Sequence, residues 1–149
     1  MTDHKDFIIE EATVFTPEIT GSVIHLIKQL DESAHPLTHE EMQEIVDAPH
    51  TRLFFAKGSS DNKIVGMATL VTYRIPYKRA GTIEDVVVDS EYRRRGIGES
   101  LMNYVVQKAR NEGITSLSFT SRPGREEANR LYARLGFEKR DTNVYRIDL

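Results

Sequence analysis

The 149-residue chain contains no cysteine. That excludes disulfides, thiolate metal sites and a cysteine nucleophile together, and it suits a reducing compartment. Long apolar runs are missing as well: nowhere do about 18 apolar residues follow one another, so no membrane-spanning helix is expected. The stretch from Met1 to Glu10 is charged and carries no apolar run of the kind a secretory leader needs. Nor is there an excess of positive charge. The formal net charge is −3, so no overall field draws the chain to nucleic acid. The expectation is a soluble cytoplasmic protein with neither a membrane nor a nucleic acid as partner.

Hydrophobic residues make up 39% and charged residues 29%, the balance of an ordinary globular protein. A chain of this length buries roughly 68–70% of its unfolded surface. No repeat, low-complexity tract or linker interrupts it, so residues 1–149 are expected to form a single domain.

Asp6 to Glu10 reads as a first strand. Pro17 suits a helical first turn, after which Ile19, Val23, Leu26, Ile27 and Leu30 recur at helical spacing. Thr38 and Glu41 spell a capping box that opens a second helix carrying Met42, Ile45 and Val46. Arg52 to Ala56 and Lys63 to Thr72 read as strands joined by Gly58-Ser59-Ser60-Asp61-Asn62, and Thr82 to Val88 as another. A helix follows from about Gly98 to Asn111, with Gly113 as its stop. Ile114 to Thr120 reads as a strand and Glu126 to Leu135 as a helix closed by Gly136. Phe137 to Arg140 and Val144 to Ile147 suggest a last hairpin. The order β-α-α-β-β-β-α-β-α-β-β predicts an α/β (α+β) fold: a mixed, mostly antiparallel twisted sheet with helices on both faces.

The sharpest chemistry lies in Arg93-Arg94-Arg95-Gly96-Ile97-Gly98, between a strand and a helix. A helix N-terminus offers unpaired N–H groups and the positive end of its dipole, which suits a pyrophosphate. The glycines permit a tight turn and close approach, and arginines add charge-assisted contacts. An ordinary loop with solvated arginines is the plain alternative. A P-loop is excluded because Glu99-Ser100 follows Gly98. The dinucleotide fingerprint is excluded because Leu101 stands where a third glycine or alanine belongs.

The pattern Arg/Gln-x-x-Gly-x-Gly/Ala directly after the apolar strand Ile83-Glu84-Asp85-Val86-Val87-Val88 does fit. With Ala128-Asn129-Arg130-Leu131-Tyr132-Ala133-Arg134-Leu135-Gly136-Phe137 downstream, the chain resembles the GNAT superfamily of N-acetyltransferases. Its element order matches over nearly the whole length, while the specific motifs lie between Thr82 and Phe137. The resemblance implies acetyl-CoA as acetyl donor, no metal, and direct attack by a primary amine in a ternary complex. It implies that the backbone of Val86, Val87 and Val88 bonds the pantetheine amides in a gap between splayed parallel strands, where N–H groups also polarise the thioester carbonyl. Arg93 takes the motif's opening position, and Arg94, Arg95, Gly96, Ile97, Gly98 and Glu99 would cradle the pyrophosphate. Asn129 and Tyr132, spaced i, i+3, share a helical face. By resemblance Asn129 contacts the pantetheine arm and Tyr132 protonates the departing thiolate, although core packing is the plain role of the valines and of Tyr132. Glu84 and Asp85 point to opposite faces of a regular strand. The family's glutamate has the parity of Glu84, which is the expected general base. Asp85 or a water chain stays open.

The same strand is similar to that of glucosamine 6-phosphate N-acetyltransferases, and Arg74, Lys78 and Arg79 nearby could receive a phosphate. The spelling Asn129-Arg130-Leu131-Tyr132 departs from that subfamily, and the basic residues read equally as solvated loop charges. The expected acceptor is a small-molecule amine, with an amino sugar phosphate as one option and a peptide N-terminus as another. The loop from Asp31 to Pro36 and the last hairpin would wall the acceptor site by analogy. Dimers are common in the family, so a homodimer is one assembly the resemblance allows. A noncatalytic acyl-CoA-binding sensor or regulatory module on the same fold is the main rival, against which Glu84 and Tyr132 argue together. The five histidines, His35 and His39 included, form no metal set.

Overall fold

The computed structural model describes residues 6–149. Backbone contacts cluster into two compact units, residues 6–119 and 120–149.

The first unit is built on a five-stranded sheet in the order β1-β2-β3-β4-β5. Its strands are β1 (Phe7–Glu11), β2 (Thr51–Gly58), β3 (Ile64–Ile75), β4 (Lys78–Val88) and β5 (Ser116–Ser118). The first three pairings are antiparallel and β4–β5 is parallel, which is the mixed, mostly antiparallel sheet expected. Between β1 and β2 run α1 (Pro17–Leu30) and α2 (His39–Asp47), and α3 (Ile97–Asn111) links β4 to β5. Pro17 opens α1 behind its N-cap Thr16, and the Thr38–Glu41 capping box closes reciprocally at the start of α2.

Each face of this sheet has its own helices. Leu53, Phe55, Met67 and Val87 pack with Val23 and Leu26 of α1 and Met42 of α2 in one core cluster. On the opposite face Phe54 meets Tyr104 of α3 edge-on at 5.7 Å. Gly66 lies beneath α3 so closely that a Cβ would stand 3.1 Å from Leu101. Fully burying side chains of this size contributes about 1.5–3 kcal/mol each, so the two cores dominate the unit's stability. A rim of ion pairs ties α3 to the sheet: Arg52 bonds Glu11 at 3.4 Å and also Glu112, and Lys108 reaches Glu11 at 3.7 Å.

Three expectations change. The β3–β4 hairpin runs on to Ile75 and Lys78, because Pro76-Tyr77 forms a two-residue turn and the polar residues before it still alternate across an antiparallel ladder. β5 is confined to Ser116–Ser118 rather than spanning Ile114 to Thr120. Ile114 instead continues the helix end, donating to the Ala109 carbonyl at 3.1 Å.

The second unit contains α4 (Glu126–Arg134) and, among the described residues, no strand. The last hairpin, Phe137 to Arg140 with Val144 to Ile147, is therefore not formed. Val144, Tyr145 and Ile147 are 74%, 88% and 81% exposed, and a two-stranded ribbon with no apolar face to bury is marginal in water.

Candidate functional site

β4 carries the unusual backbone of the first unit. Opposite β3, Glu84 pairs with Thr69 and Val87 with Met67, so β4 fits one more residue than β3 into the same stretch. The surplus is a bulge at Asp85, whose φ of 52° lies in the left-handed region. A bulge reverses side-chain parity. Ile83 belongs with Leu70 and Gly81 on the α3 face, Val87 lies in the α1/α2 core, and Val88 approaches Gly98 on the α3 side. Glu84 shares its row with Thr69 and Leu53 on the α1/α2 face and is exposed. The two acidic residues are thus separated by more than simple alternation: Glu84 is the last residue before the bulge and Asp85 is the bulge itself. Asp85 retains exposed surface, but desolvation by its surroundings raises its carboxyl above the ordinary carboxylate range.

The other edge of β4 is open beyond its midpoint. β5 pairs with Ala80, Gly81 and Thr82 only, and Ile83 to Val88 has no registered partner on that side among the described residues. This half-open edge includes Val86, Val87 and Val88. Their side chains are half-buried, buried and half-buried respectively, so each valine also packs as an ordinary strand residue.

The open edge leads straight into the glycine turn. Asp89 caps a short 3-10 turn over Ser90–Tyr92, accepting from the Glu91 N–H at 3.0 Å. Arg94 then adopts φ 63° and Gly96 φ 77°. Gly96 is the N-cap of α3 and brings no side chain to it, so the helix begins without a side-chain cap. At Gly98 an added Cβ would meet only Val88, at an ordinary 3.7 Å. Packing within the protein does not demand a glycine there, and the space above it suits an approaching ligand backbone or phosphate. The arginines divide their work. Arg93 donates through Nε to the Val88 carbonyl at 3.1 Å, pinning the strand end, and Arg95 lies 5.1 Å over the Tyr92 ring. Ile97 is buried and Glu99 half-buried in the first turn of α3.

Behind this turn stands a group the sequence reading overlooked. Asp89, only 2% exposed, accepts from His25 Nε2 of α1 at 3.0 Å, and Gln29 accepts the Ser90 N–H at 2.8 Å. Burial pushes the Asp89 carboxyl up, but the Glu91 N–H, His25 and Gln29 outweigh it and hold the group below the usual carboxylate range. The i, i+4 spacing of His25 and Gln29 was visible in the sequence, but their partners lie more than sixty positions away.

Arg79 is already committed, donating to the Glu112 carbonyl at the end of α3 at 3.0 Å. Of the three basic residues expected near an acceptor phosphate, it is the one with a structural task. Lys78 lies over the Tyr77 ring at 5.3 Å, and Arg74 pairs across the ladder with Arg79.

In the second unit, Asn129 and Tyr132 lie on α4. The Asn129 side-chain amide donates to the Arg122 and Arg125 carbonyls, both at 2.9 Å, which fixes the turn before the helix. Tyr132 is buried, and its carbonyl accepts from Phe137 N at 3.0 Å. No helix among the described residues is long and apolar enough to cross a membrane, and no cluster of three or more metal-ligating side chains occurs among them.

Comparison with known proteins matches residues 22–137 to a model described as the acetyltransferase (GNAT) family. A glucosamine 6-phosphate N-acetyltransferase of Trypanosoma brucei brucei is 30% identical over 157 aligned positions, covering 100% of both chains. Glucosamine 6-phosphate N-acetyltransferase 1 of Oryza sativa subsp. japonica is 29% identical over 135 positions, 85% of this chain and 79% of its own. Among solved structures, an acetyltransferase of Trypanosoma brucei superposes with a TM-score of 0.80 at 27% identity, over 97% of this chain and 100% of its own.

Proposed function

Because this chain belongs to the GNAT family of acetyltransferases and is therefore an N-acetyltransferase, we propose that it moves the acetyl group of acetyl-CoA to a primary amine of a small molecule, by direct attack in a ternary complex. The observation that carries this is the half-open edge of β4 running into the uncapped, glycine-built start of α3. An extended amide-bearing arm can complete the ladder along Val86, Val87 and Val88, and its pyrophosphate then reaches the helix N-terminus between Arg93 and Glu99. The spare room at Gly98 fits that placement.

Glu84 is the general base in this reading, because it stands on the face covered by α1 and α2, the two helices that the loop from Asp31 to Pro36 joins. An alkylammonium of pKa about 10.4 costs roughly 4–5 kcal/mol to deprotonate at pH 7, whereas an amine of pKa about 8 costs about 1.4 kcal/mol. Amino sugars belong with the second kind, so a surface carboxylate of modest basicity is enough for them. One observation favours Asp85 as the competing base: its raised pKa brings it closer to the working pH. An N–H at the bulge polarises the thioester carbonyl, and Glu84 takes the amine proton as nitrogen bonds the carbonyl carbon. The C–S bond breaks as the tetrahedral intermediate collapses, and Tyr132 gives its own proton to the CoA thiolate. Asn129 contacts the pantetheine arm. Residues 1–149 act as one acetyltransferase domain, in the cytoplasm, with no metal and as a monomer or homodimer.

An amino sugar phosphate is the acceptor proposed first, on the strength of the relatives' names. The test is CoA-thiol release from acetyl-CoA across a panel holding glucosamine 6-phosphate, other amino sugars, polyamines, amino acids and peptides. The cysteine-free protein adds no thiol background. Release that follows one amine class identifies the acceptor; release with peptides alone would overturn the small-molecule reading.

A further inference from the structure

We propose that His25 and Gln29 are positioning residues that lock α1, and the acceptor-side loop that follows it, to the turn holding the CoA pyrophosphate. This rests on the reading of that turn as the acetyl-CoA site.

The geometry has one node, Asp89. Its backbone N–H donates to the Val65 carbonyl at 2.8 Å and its carbonyl accepts from Tyr92 N at 2.8 Å, so its main chain ties the end of β4 to β3 and to the 3-10 turn. One carboxylate oxygen holds the Glu91 N–H and the other holds His25. The imidazole Nε2 lies 3.0 Å from both Asp89 Oδ2 and Gln29 Nε2. A ring nitrogen has one proton or one lone pair to offer, and a carboxylate only accepts, so the proton belongs between His25 and Asp89. Gln29 then uses its carbonyl on Ser90 N–H. Two side chains one helical turn apart thus grip two consecutive residues, 89 and 90, where the phosphate turn begins.

The rest of that turn is held by Arg93 on the Val88 carbonyl and by the Tyr92 ring, which packs against Phe7 and under Lys63 and Arg95. Arg94 and Gly96 are left-handed, the arginines are exposed, and the contact from Arg95 to the Glu91 carbonyl is a long 3.4 Å. Among the described residues, His25 and Gln29 add the one hold on its root that comes from α1 side chains. α1 itself is anchored in the sheet core by Val23 and Leu26, and it ends at Leu30 directly before the Asp31–Pro36 loop. A shift of α1 on closing around an acceptor is transmitted to the pyrophosphate turn through His25 and Gln29. The His25 side chain is 62% exposed, so replacing it leaves the apolar core untouched and the fold should survive.

The test compares His25→Leu, Gln29→Leu and His25→Gln with the unaltered protein. Acetyl-CoA Kd is read by calorimetry, with KM, kcat and Tm alongside. Gln at position 25 can present an N–H to Asp89 where Leu cannot. The expected result is an acetyl-CoA Kd and KM raised on the order of 10-fold in both leucine variants, equal to about 1.4 kcal/mol. kcat should stay within about twofold and His25→Gln should recover most of the loss. Leucine variants that bind acetyl-CoA as tightly as the unaltered protein overturn the positioning role alone. So does a loss that His25→Gln leaves unrepaired. An unaltered protein that fails to bind acetyl-CoA overturns the cofactor reading beneath it.

Discussion

At the scale of single residues, the bulge separates what two neighbouring carboxylates do. Glu84→Gln is expected to lower kcat/KM by about 10²-fold, whereas Asp85→Asn leaves it within a few fold. The larger loss in Asp85→Asn instead assigns the base to the bulge. Tyr132→Phe should bind acetyl-CoA normally and lose about tenfold in kcat; unchanged turnover removes its acid role, since a thiol of pKa about 8.5 leaves tolerably well unaided. Asp89 makes a separate prediction through stability. Its folded pKa is lowered, so its ionised form stabilises the fold above the unfolded value near 3.9 and that contribution is lost as pH falls through the lower folded value. Thermal melts should show Asp89→Asn less stable at pH 7, with the difference narrowing as pH falls below the unfolded value. Equal melts at pH 7 would contradict it. Of these residues, Glu84 and Tyr132 are legible as candidates from the sequence because they sit inside contiguous motifs. His25 is not, because its meaning comes from a fold-distant aspartate.

At the scale of elements, α3 shows how a helix start can be tuned for a ligand at the helix's own cost. Gly98 is helical and meets no obstacle to a Cβ, so Gly98→Ala should stabilise α3 by about 0.5–1 kcal/mol. The same methyl group fills the room left for phosphate. We expect a higher Tm and a weaker acetyl-CoA affinity in one variant, measured by melting and calorimetry; a variant that gains stability and keeps full affinity would mean the phosphate does not approach Gly98. Capping signals are local, so the starts of α1 and α2 at Pro17 and Thr38 could be read from a few letters. The bulge at Asp85 could not: Ile83 to Val88 spells an uninterrupted strand, and only the mismatch with Thr69 and Met67 across the ladder reveals the extra residue. The final hairpin fails for a related reason. Alternation in Val144 to Ile147 describes a willing strand, but alternation alone supplies no surface for it to cover.

At the scale of the whole molecule, the fold class and element order through α4 follow from periodicity and punctuation, because each sheet face and each amphipathic helix must bury its apolar side somewhere. Pairing choices are less visible, since a strand's letters do not say which neighbour stops short. β5 stops short, and among the described residues β4 has no strand partner on that side from Ile83 to Val88. Such an edge invites any extended chain to add itself. If acetyl-CoA lies along β4 as proposed, it is also a guard: while it is bound, Ile83 to Val88 no longer offer that edge to a stranger. Purified protein without CoA should scatter more light on storage or gentle heating than the same protein with saturating CoA. Equal scattering with and without CoA would mean that the edge is shielded by the protein itself.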